Sequence, residues 1–397
     1  MKVLIIYAGM LMKSGGMQHI CCEIANAFVA KGYETAIACG GGDLTSSFFP
    51  LDKRIKIYSL IADHPVNDMD KAVVGRKISA GDKIIREFIR TFSKRRFHEW
   101  NEKCKCRVVK PYLKKILHDF NPDVIVGYNA DAVYYTVAAM DDIVPIIGTN
   151  HSELSRSFEE MGGPEIAALN RCAALQVLLP SEKHCPQVPC VVIPNVVSES
   201  KKISSLEQRT VLFVGRLTKA AKRPHLAVQA FEKAAVHHPE WKLEIWGDGH
   251  GAEHYVDEMK KDIASHHMED RIFFKGTTTD IQSVYGKASI LLCPSQHEGW
   301  GLAVTEAMSA GLPVVAFKSC AGVNELVEDG CSGFLTDDDI SSMAGALEKL
   351  MESDDLRKEM GMNARHSMEK FSEEKVWSSW IHLIDKVVES SSNQRKA

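Results

Sequence analysis

The hydrophobic pattern of the chain opens with an apolar run that ends in a glycine. Residues 3–8 are continuously apolar before Gly9, which is typical of a parallel strand buried on both faces. Apolar residues within 17–33 then recur at helical spacing, and Gly32 is placed to end that helix. Residues 34–40 predict a second strand. Strand, loop, helix and strand in this order predict the start of a doubly wound α/β sheet.

Two sets of alternating strands and helices follow from the same pattern. Further strands of the first set are predicted at 122–129, 144–151, 174–180 and 189–195. Residues 198–208 are polar and lack apolar periodicity, so they predict a linker. Beyond it, strands are predicted at 210–217, 241–249, 271–276, 288–295 and 312–317. We expect two doubly wound Rossmann-like domains facing a central cleft, at 1–197 and 198–371, with a helix at 372–397 packing back on the first.

Composition narrows the class of protein and its compartment. A length of 397 residues with 45% apolar and 25% charged residues fits two folded domains. A net charge of −4 argues against nucleic acid as a partner of the whole molecule. The 11 cysteines include no CxxC pair, so neither a zinc site nor a disulfide framework is predicted. The first apolar run is too short for a signal sequence or a membrane span, and we expect a cytoplasmic protein.

One segment departs from this balance. Residues 71–117 hold 15 Lys and Arg residues against four acids. Apolar residues stand among them at helical spacing: Ile84, Ile85, Phe88, Ile89, Phe92, Phe97 and Trp100. This composition predicts contact with an anionic membrane surface, so the protein is expected to be peripheral on the inner face of the cell membrane. The alternative is a solvated basic face over an ordinary core contact.

Two loops carry features of phosphate-sized anion sites. Gly15 and Gly16 lie between the first strand and its helix, whose N-terminus offers unpaired N–H groups and a positive dipole end. The loop has neither a dinucleotide fingerprint nor a P-loop motif, so a simple tight turn is the alternative. In the second domain Arg216 follows a buried strand, with Lys219 and Lys222 close behind. Such cations at a strand end neutralise a multiply charged phosphate well, whereas a solvated loop is the alternative.

The third loop carries two carboxylates. Glu298 precedes Gly299-Trp300-Gly301, and Glu306 lies in the short helix that follows. The backbone N–H groups at that helix start also point towards an anion. Acids in direct contact with a diphosphate would repel it, so these two are expected to bind neutral hydroxyl groups beside it.

Five segments, taken in order, resemble the retaining GT-B glycosyltransferases of family 4. They are GGMQ, GRLTKAAK, GDG, HEGWGLAVTEAMSAGLPVV and CAGVNELVEDGCSGFL, and the resemblance runs from about residue 3 to 390. The stretch EGWGLAVTEA is the most specific because it matches the E-x7-E motif of that family. The resemblance implies a GT-B fold with two Rossmann-like domains and a nucleotide-sugar donor.

The resemblance also assigns roles to residues. It implies that Glu298 contacts hydroxyls of the donor sugar, that Glu306 contacts the ribose, and that Arg216 and Lys222 hold the diphosphate, with Lys219 as a possible substitute for Lys222. His151 matches a histidine beside the donor sugar; a structural loop histidine is the alternative. The predicted catalytic residues are Glu298, His151, Arg216 and Lys222. The predicted donor site comprises Gly15, Gly16, Arg216, Lys222, Gly276, Glu298, Gly299, Trp300, Gly301, Leu302 and Glu306. We expect no metal and no cofactor, and we do not expect the acidic run 337–339 to bind a metal.

The function implied is retaining transfer of a hexose or N-acetylhexosamine from a UDP-sugar to a saccharide acceptor. The expected acceptor is lipid-linked, such as a lipopolysaccharide, capsule or O-antigen precursor, and GDP-mannose remains open as the donor. A nucleotide-sugar epimerase of GT-B fold and a catalytically silent nucleotide-sugar-binding protein are the alternatives. A glycosidase would use the two acids, but it gives no reason for three anion-binding loops. A dehydrogenase would need a tighter glycine fingerprint.

Overall fold

The computed structural model describes residues 1–12, 15–41, 47–61, 91, 93–141, 144–151, 154–182, 188–249 and 251–396, and the side chains of 154–156 and 394–396 are outside the description. The chain divides into two compact units. The first consists of Met1–Pro194 with Val376–Ala397, and the second of Asn195–Lys375. Each unit is a parallel sheet with helices, as the alternating pattern predicts.

The first unit is built on a seven-stranded parallel sheet of order β3-β2-β1-β4-β5-β6-β7. Its strands are β1 (Lys2–Tyr7), β2 (Glu34–Cys39), β3 (Lys56–Ser59), β4 (Val124–Tyr128), β5 (Ile146–Thr149), β6 (Ala174–Val177) and β7 (Cys190–Val192). Its first helices are α1 (Gly16–Ala30), α2 (Lys94–Phe120), α3 (Ala130–Ala139), α4 (Leu154–Glu160) and α5 (Gly163–Leu169), with a 3-10 turn at Pro180–Glu182. The central strands are continuously buried, which explains why their sequences lack polar alternation.

The second unit is a six-stranded parallel sheet of order β10-β9-β8-β11-β12-β13. Its strands are β8 (Thr210–Val214), β9 (Lys242–Trp246), β10 (Ile272–Gly276), β11 (Ile290–Cys293), β12 (Val314–Phe317) and β13 (Gly333–Thr336). Its helices are α6 (Pro224–Ala234), α7 (Glu253–Ser265), α8 (Ile281–Tyr285), α9 (Leu302–Ser309), α10 (Ile340–Glu352) and α11 (Asp354–Met368), with 3-10 turns at Ala235–His237 and Glu369–Phe371.

The last helix, α12 (Glu373–Lys396), begins in the second unit and continues into the first. Its apolar stripe packs into the core there: the Trp380 ring meets Phe28 of α1 edge to face, with centroids 6.0 Å apart. The Tyr33 hydroxyl donates to the Asp385 carboxylate over 3.1 Å. The apolar stripe of this amphipathic helix is therefore the face that packs on the first unit.

Residues 198–208 differ from the linker that their polar composition predicts. The Ser200 N–H donates to the Ser309 hydroxyl over 3.0 Å, and the Ser204 N–H donates to the Ala310 carbonyl over 2.9 Å. Leu206 is buried. The segment is therefore an ordered part of the second unit, held by backbone hydrogen bonds and by burial of Leu206.

The described part of the basic segment lies on α2. This helix buries one stripe, including Val109, Leu113 and Ile116, against the first unit. Arg96, Lys103, Arg107 and Lys110 are exposed. Residues 71–90 and 92, which carry the rest of the predicted membrane contact, lie outside the described residues. None of the described helices has the length and apolarity needed to cross a bilayer.

Candidate functional site

Glycines bring the carboxyl ends of β8, β9 and β10 close together. A Cβ at Gly247 would lie 1.8 Å from the Gly215 carbonyl oxygen, so only glycine fits there. The Gly247 N–H donates to the Gly276 carbonyl over 2.8 Å, and Gly276 has a φ of 71°. The predicted donor-site residue Gly276 therefore ends an edge strand of the second sheet and helps to fix the strand-end geometry.

The two predicted phosphate-binding cations follow β8. Arg216 is exposed, and its guanidinium makes no hydrogen bond or ion pair with any residue that the structure describes. Lys222 lies in the turn after β8, and its backbone N–H donates to the Thr218 hydroxyl over 3.2 Å. Its ammonium donates to the Glu298 carboxylate, and the two side chains are 20% and 12% exposed. Lys222 thus meets the glycine loop directly.

Lys219 lies in another direction. Its ammonium is 5.8 Å from the centre of the Tyr255 ring and 3.9 Å from the Glu258 carboxylate, both on α7. The sequence left Lys219 and Lys222 open as ligands of the diphosphate. Of the two, Lys222 lies beside the loop that carries Glu298.

Two hydrogen bonds fix Glu298 besides its contact with Lys222. Ser295, which is almost fully buried, donates its hydroxyl to the Glu298 carboxylate over 2.8 Å. The Glu298 N–H donates to the Ala321 carbonyl over 2.9 Å. Gly322, with a φ of 88°, allows this approach, because a Cβ there would lie 2.3 Å from the Glu298 carbonyl oxygen. The carboxylate is therefore oriented before any ligand binds.

The loop after Glu298 ends at the start of α9. Gly301 adopts a φ of 77°, and its carbonyl accepts from the N–H groups of Val304 and Thr305. The first N–H groups of a helix, here those of Leu302 and its neighbour, have no partner within the helix and suit an anion. Trp300 differs from its neighbours, because its side chain is buried and meets Phe371 edge to face at 4.9 Å. Its indole packs inside the second unit, so any ligand contact from Trp300 would come from its backbone.

Glu306 lies one turn into α9 and faces α8. The Tyr285 hydroxyl donates to the Glu306 carboxylate over 3.0 Å. Burial raises the pKa of Glu306 from its ordinary value to about 7, and the Tyr285 hydrogen bond opposes that rise. Near neutral pH this carboxyl group therefore lies close to its titration point.

In the first unit, the candidate residues follow the carboxyl ends of β1 and β5. Gly15 and Gly16 form the start of α1, and the Gly15 carbonyl accepts from the His19 N–H over 3.0 Å. His151 comes two residues after β5, and its imidazole stacks on Tyr128 at 4.2 Å and 15°. Tyr128 is fully buried and is met edge to face by Tyr7 at 5.6 Å.

The His151 imidazole is neutral across the physiological range. Burial lowers the pKa of His151 to about 3, because a charged ring would lose its hydration. Its Nε2 atom is buried and has no hydrogen-bond partner among the described residues. An unpaired buried nitrogen of this kind can bind a hydroxyl group, but the ring cannot supply a proton as an imidazolium at neutral pH.

Three residues that the sequence did not single out support this geometry: Ser295, Tyr285 and Tyr128. Tyr128 ends a predicted strand, a position where ligand-contacting residues are common. Ser295 lies only three residues before Glu298, but a serine at a strand end carries no specific sequence signal. Tyr285 carries none because its partner Glu306 lies 21 positions later in the chain. The acidic run 337–339 has structural contacts instead: Asp337 pairs with Lys318, Asp338 accepts from Ser319, and Asp339 caps α10 by accepting from the Ser342 N–H over 2.9 Å.

Comparison with known proteins identifies the class to which this fold and site belong. The chain aligns with the S. aureus TarM mutant in complex with Fondaparinux, alpha-GlcNAc-glycerol and UDP, with a TM-score of 0.73 and 17% identity. The alignment covers 97% of this chain and 100% of that one. Two Rossmann-like parallel sheets with this likeness define a GT-B fold.

The family follows from sequence. Residues 197–367 match the family model described as Glycosyl transferases group 1. An uncharacterized glycosyltransferase of Haemophilus influenzae is 25% identical over 94% of this chain and 96% of its own length. The poly(ribitol-phosphate) alpha-N-acetylglucosaminyltransferase of Staphylococcus aureus is 31% identical over 45% of this chain, and only 36% of that protein is covered. Residues 197–367 thus match the group 1 glycosyltransferases, and with the fold this match confirms the sequence-based expectation of a GT-B glycosyltransferase.

Proposed function

We propose that the protein is a retaining glycosyltransferase that moves a hexose or N-acetylhexosamine from a UDP-sugar to a saccharide or polyol-phosphate acceptor. The observation that carries the proposal is the contact between Lys222 and Glu298 beside the N-terminus of α9. It places a cation, a hydroxyl-accepting carboxylate and free N–H groups at one loop. A nucleotide sugar presents the matching groups, a diphosphate next to a ring of hydroxyls.

Arg216 and Lys222 can bind the diphosphate without breaking their present contacts. Arg216 is exposed without a partner among the described residues, and its planar fork suits two phosphate oxygens. Lys222 has three N–H donors, so it can keep Glu298 and still donate to a phosphate. These charges lie where negative charge develops on the departing UDP, and they lower the barrier electrostatically.

The two carboxylates bind the neutral parts of the donor. Glu298 accepts hydroxyls of the transferred sugar, and its hydrogen bond from Ser295 holds the orientation. Glu306 accepts ribose hydroxyls once it is ionised. Neither acts as a nucleophile: the acceptor attacks on the same face from which UDP leaves, and the departing phosphate oxygen takes the acceptor proton. The neutral His151 contributes a hydrogen bond to the donor sugar and no proton.

The acceptor is proposed from two supports. The Staphylococcus aureus relative acts, by its name, on poly(ribitol-phosphate), and TarM is in complex with alpha-GlcNAc-glycerol. The exposed cations of α2, among them Arg107 and Lys110, would hold a polyanionic or membrane-bound acceptor near the first unit. We therefore propose a lipid-linked or polyol-phosphate acceptor at the inner face of the cell membrane, with the enzyme peripheral to it.

A donor screen tests the proposal. Thermal unfolding is measured with UDP-glucose, UDP-galactose, UDP-GlcNAc, UDP-GalNAc and GDP-mannose, and the true donor should raise Tm most. Labelled sugar from that donor should then appear on acceptor, with the anomeric configuration retained. Sugar interconversion without transfer would instead indicate an epimerase. Donor binding with neither transfer nor hydrolysis would indicate a silent binding protein.

A further inference from the structure

A groove in the first unit lies at the amino ends of the strands, away from the carboxyl ends where the candidate site residues lie. It is bordered by Ile146 and Ala174, the first residues of β5 and β6, by the edge strand β7, and by α12. Its volume is about 630 Å³, within the range of small-molecule sites. Since His151 and the start of α1 lie at the carboxyl ends of the strands, the groove belongs to no part of the proposed donor site.

The groove combines an apolar floor with a cationic rim. Val191 and Val192 of β7, which are partly exposed, supply apolar surface over the buried Leu383 and Val387 of α12. Arg171, His382 and Lys386 line it as well, and none of the three makes a side-chain hydrogen bond or ion pair with the described part of the chain. No carboxylate is among its described lining residues. Such a surface is complementary to an apolar molecule with a negative end.

The groove is elongated. Its lining residues on α12 recur every three or four positions from Ser379 to Ser390, so one helix face forms the wall for about 17 Å. A second cavity of about 1020 Å³ shares Met140, Val144, Pro145 and Ser391 with it and extends to Lys114 and His118 of α2 and to the carboxylates Asp123 and Asp141. Lys114 pairs with Asp141, so the unpaired cations are those of the first groove. A linear chain fits this path better than a compact ring.

We propose that this groove binds a single-chain anionic lipid. Its acyl chain lies along Leu383 and Val387, and its carboxylate or phosphate headgroup contacts Arg171 and Lys386. The proposal is independent of the transfer reaction, because no residue of the donor site takes part.

The test is titration calorimetry of the full chain with lysophosphatidate and, separately, with a long-chain fatty acid, each below its critical micelle concentration. Saturable 1:1 binding is expected, and comparison of the two acids distinguishes the phosphate from the carboxylate headgroup. R171E and K386E should each weaken binding about tenfold, since a hydrogen bond between charged groups contributes at least that factor. Ala173, an exposed lining residue, offers a second variant: A173W should fill the groove and abolish binding. K358E, an equal charge change on α11, is the matched control and should bind normally.

Five results would overturn the proposal. The first is the absence of saturable binding, and the second is unchanged binding by A173W with its thermal unfolding unaltered. The third is equal affinity for the uncharged alcohol of the same chain length, which would remove the headgroup contact. The fourth is a lipid-free dimer in light scattering that A173W dissociates, which would make the groove a subunit interface. Adsorption to anionic vesicles without monomer binding would likewise count against a lipid site.

Discussion

The contact between Lys222 and Glu298 can be separated into its structural and its functional contribution by a double-mutant cycle. Lys222→Met and Glu298→Gln each remove one charge at nearly constant volume. Breaking a fully buried pair costs about 3–5 kcal/mol, because the remaining charge is left unpaired. Here the side chains retain 20% and 12% exposure, so solvent reduces the expected loss to about 1–3 kcal/mol for each single variant.

The double variant should recover part of that loss, since it leaves no unpaired charge. Turnover should behave differently. Removing a preorganised donor to developing charge lowers kcat by about 10²–10³, and K222M should show this loss. E298Q should also lower turnover, and the double variant should not regain it. Urea unfolding gives the free energies, and initial rates with the donor found in the screen give kcat.

Lys219→Met is the matched control, because this lysine is exposed and faces α7. Its unfolding free energy should stay within about 0.5 kcal/mol of the parent, and its kcat within about threefold. If K219M instead loses turnover while K222M keeps it, the assignment of Lys222 to the diphosphate is wrong. Strictly additive stability losses would show that solvent screens the Lys222–Glu298 pair.

Three further predictions concern other residues. The pKa of Glu306 near 7 implies that donor affinity rises as pH increases from 6 to 8. The unliganded protein should lose stability as pH rises from about 4.5 to about 7 and level off above, because the unfolded chain ionises Glu306 first. E306Q should flatten both profiles, and persistence of either slope contradicts this account. Tyr128→Leu should lower kcat up to about tenfold with little change in donor KM, since the aromatic pair with His151 contributes about 0.5–1.5 kcal/mol. Tyr128→Phe keeps the ring and should match the parent, and equal losses in both variants would assign the effect to the hydroxyl instead. R107E/K110E should weaken salt-sensitive flotation with anionic liposomes relative to K358E, and equal flotation would leave α2 as an ordinary solvated face.

The sequence predicts the strands well where both faces are buried. The continuous apolar runs of β1, β4 and β11 leave little alternative to a parallel sheet. The short edge strands β3 and β13 are only partly buried, and their mixed composition gives no comparable signal. The boundaries of the units fall at 194 and 375, where the polar pattern predicted 197 and 371.

The candidate site was predictable only in part, for a related reason. Glycines and charged residues near strand ends can be recognised locally, so Arg216, Lys222 and Glu298 are found in sequence. The partners that orient them are separated in the chain, as Tyr285 is from Glu306, and only the folded structure reveals such pairs. The burial of Trp300 is similarly invisible in sequence, because its partner Phe371 lies in a turn seventy-one positions later.

The path of α12 has a consequence for synthesis of the protein. The core of the first unit includes Trp380, Leu383 and Ile384, which are translated only after the whole second unit. Burial of each large apolar side chain contributes about 1.5–3 kcal/mol, so residues 1–194 alone lack a substantial part of their stabilisation. The second unit is one continuous segment, Asn195–Lys375, so it can fold on the ribosome before the first unit is complete. An isolated N-terminal domain for crystallisation or NMR should therefore be made as 1–194 fused to 376–396.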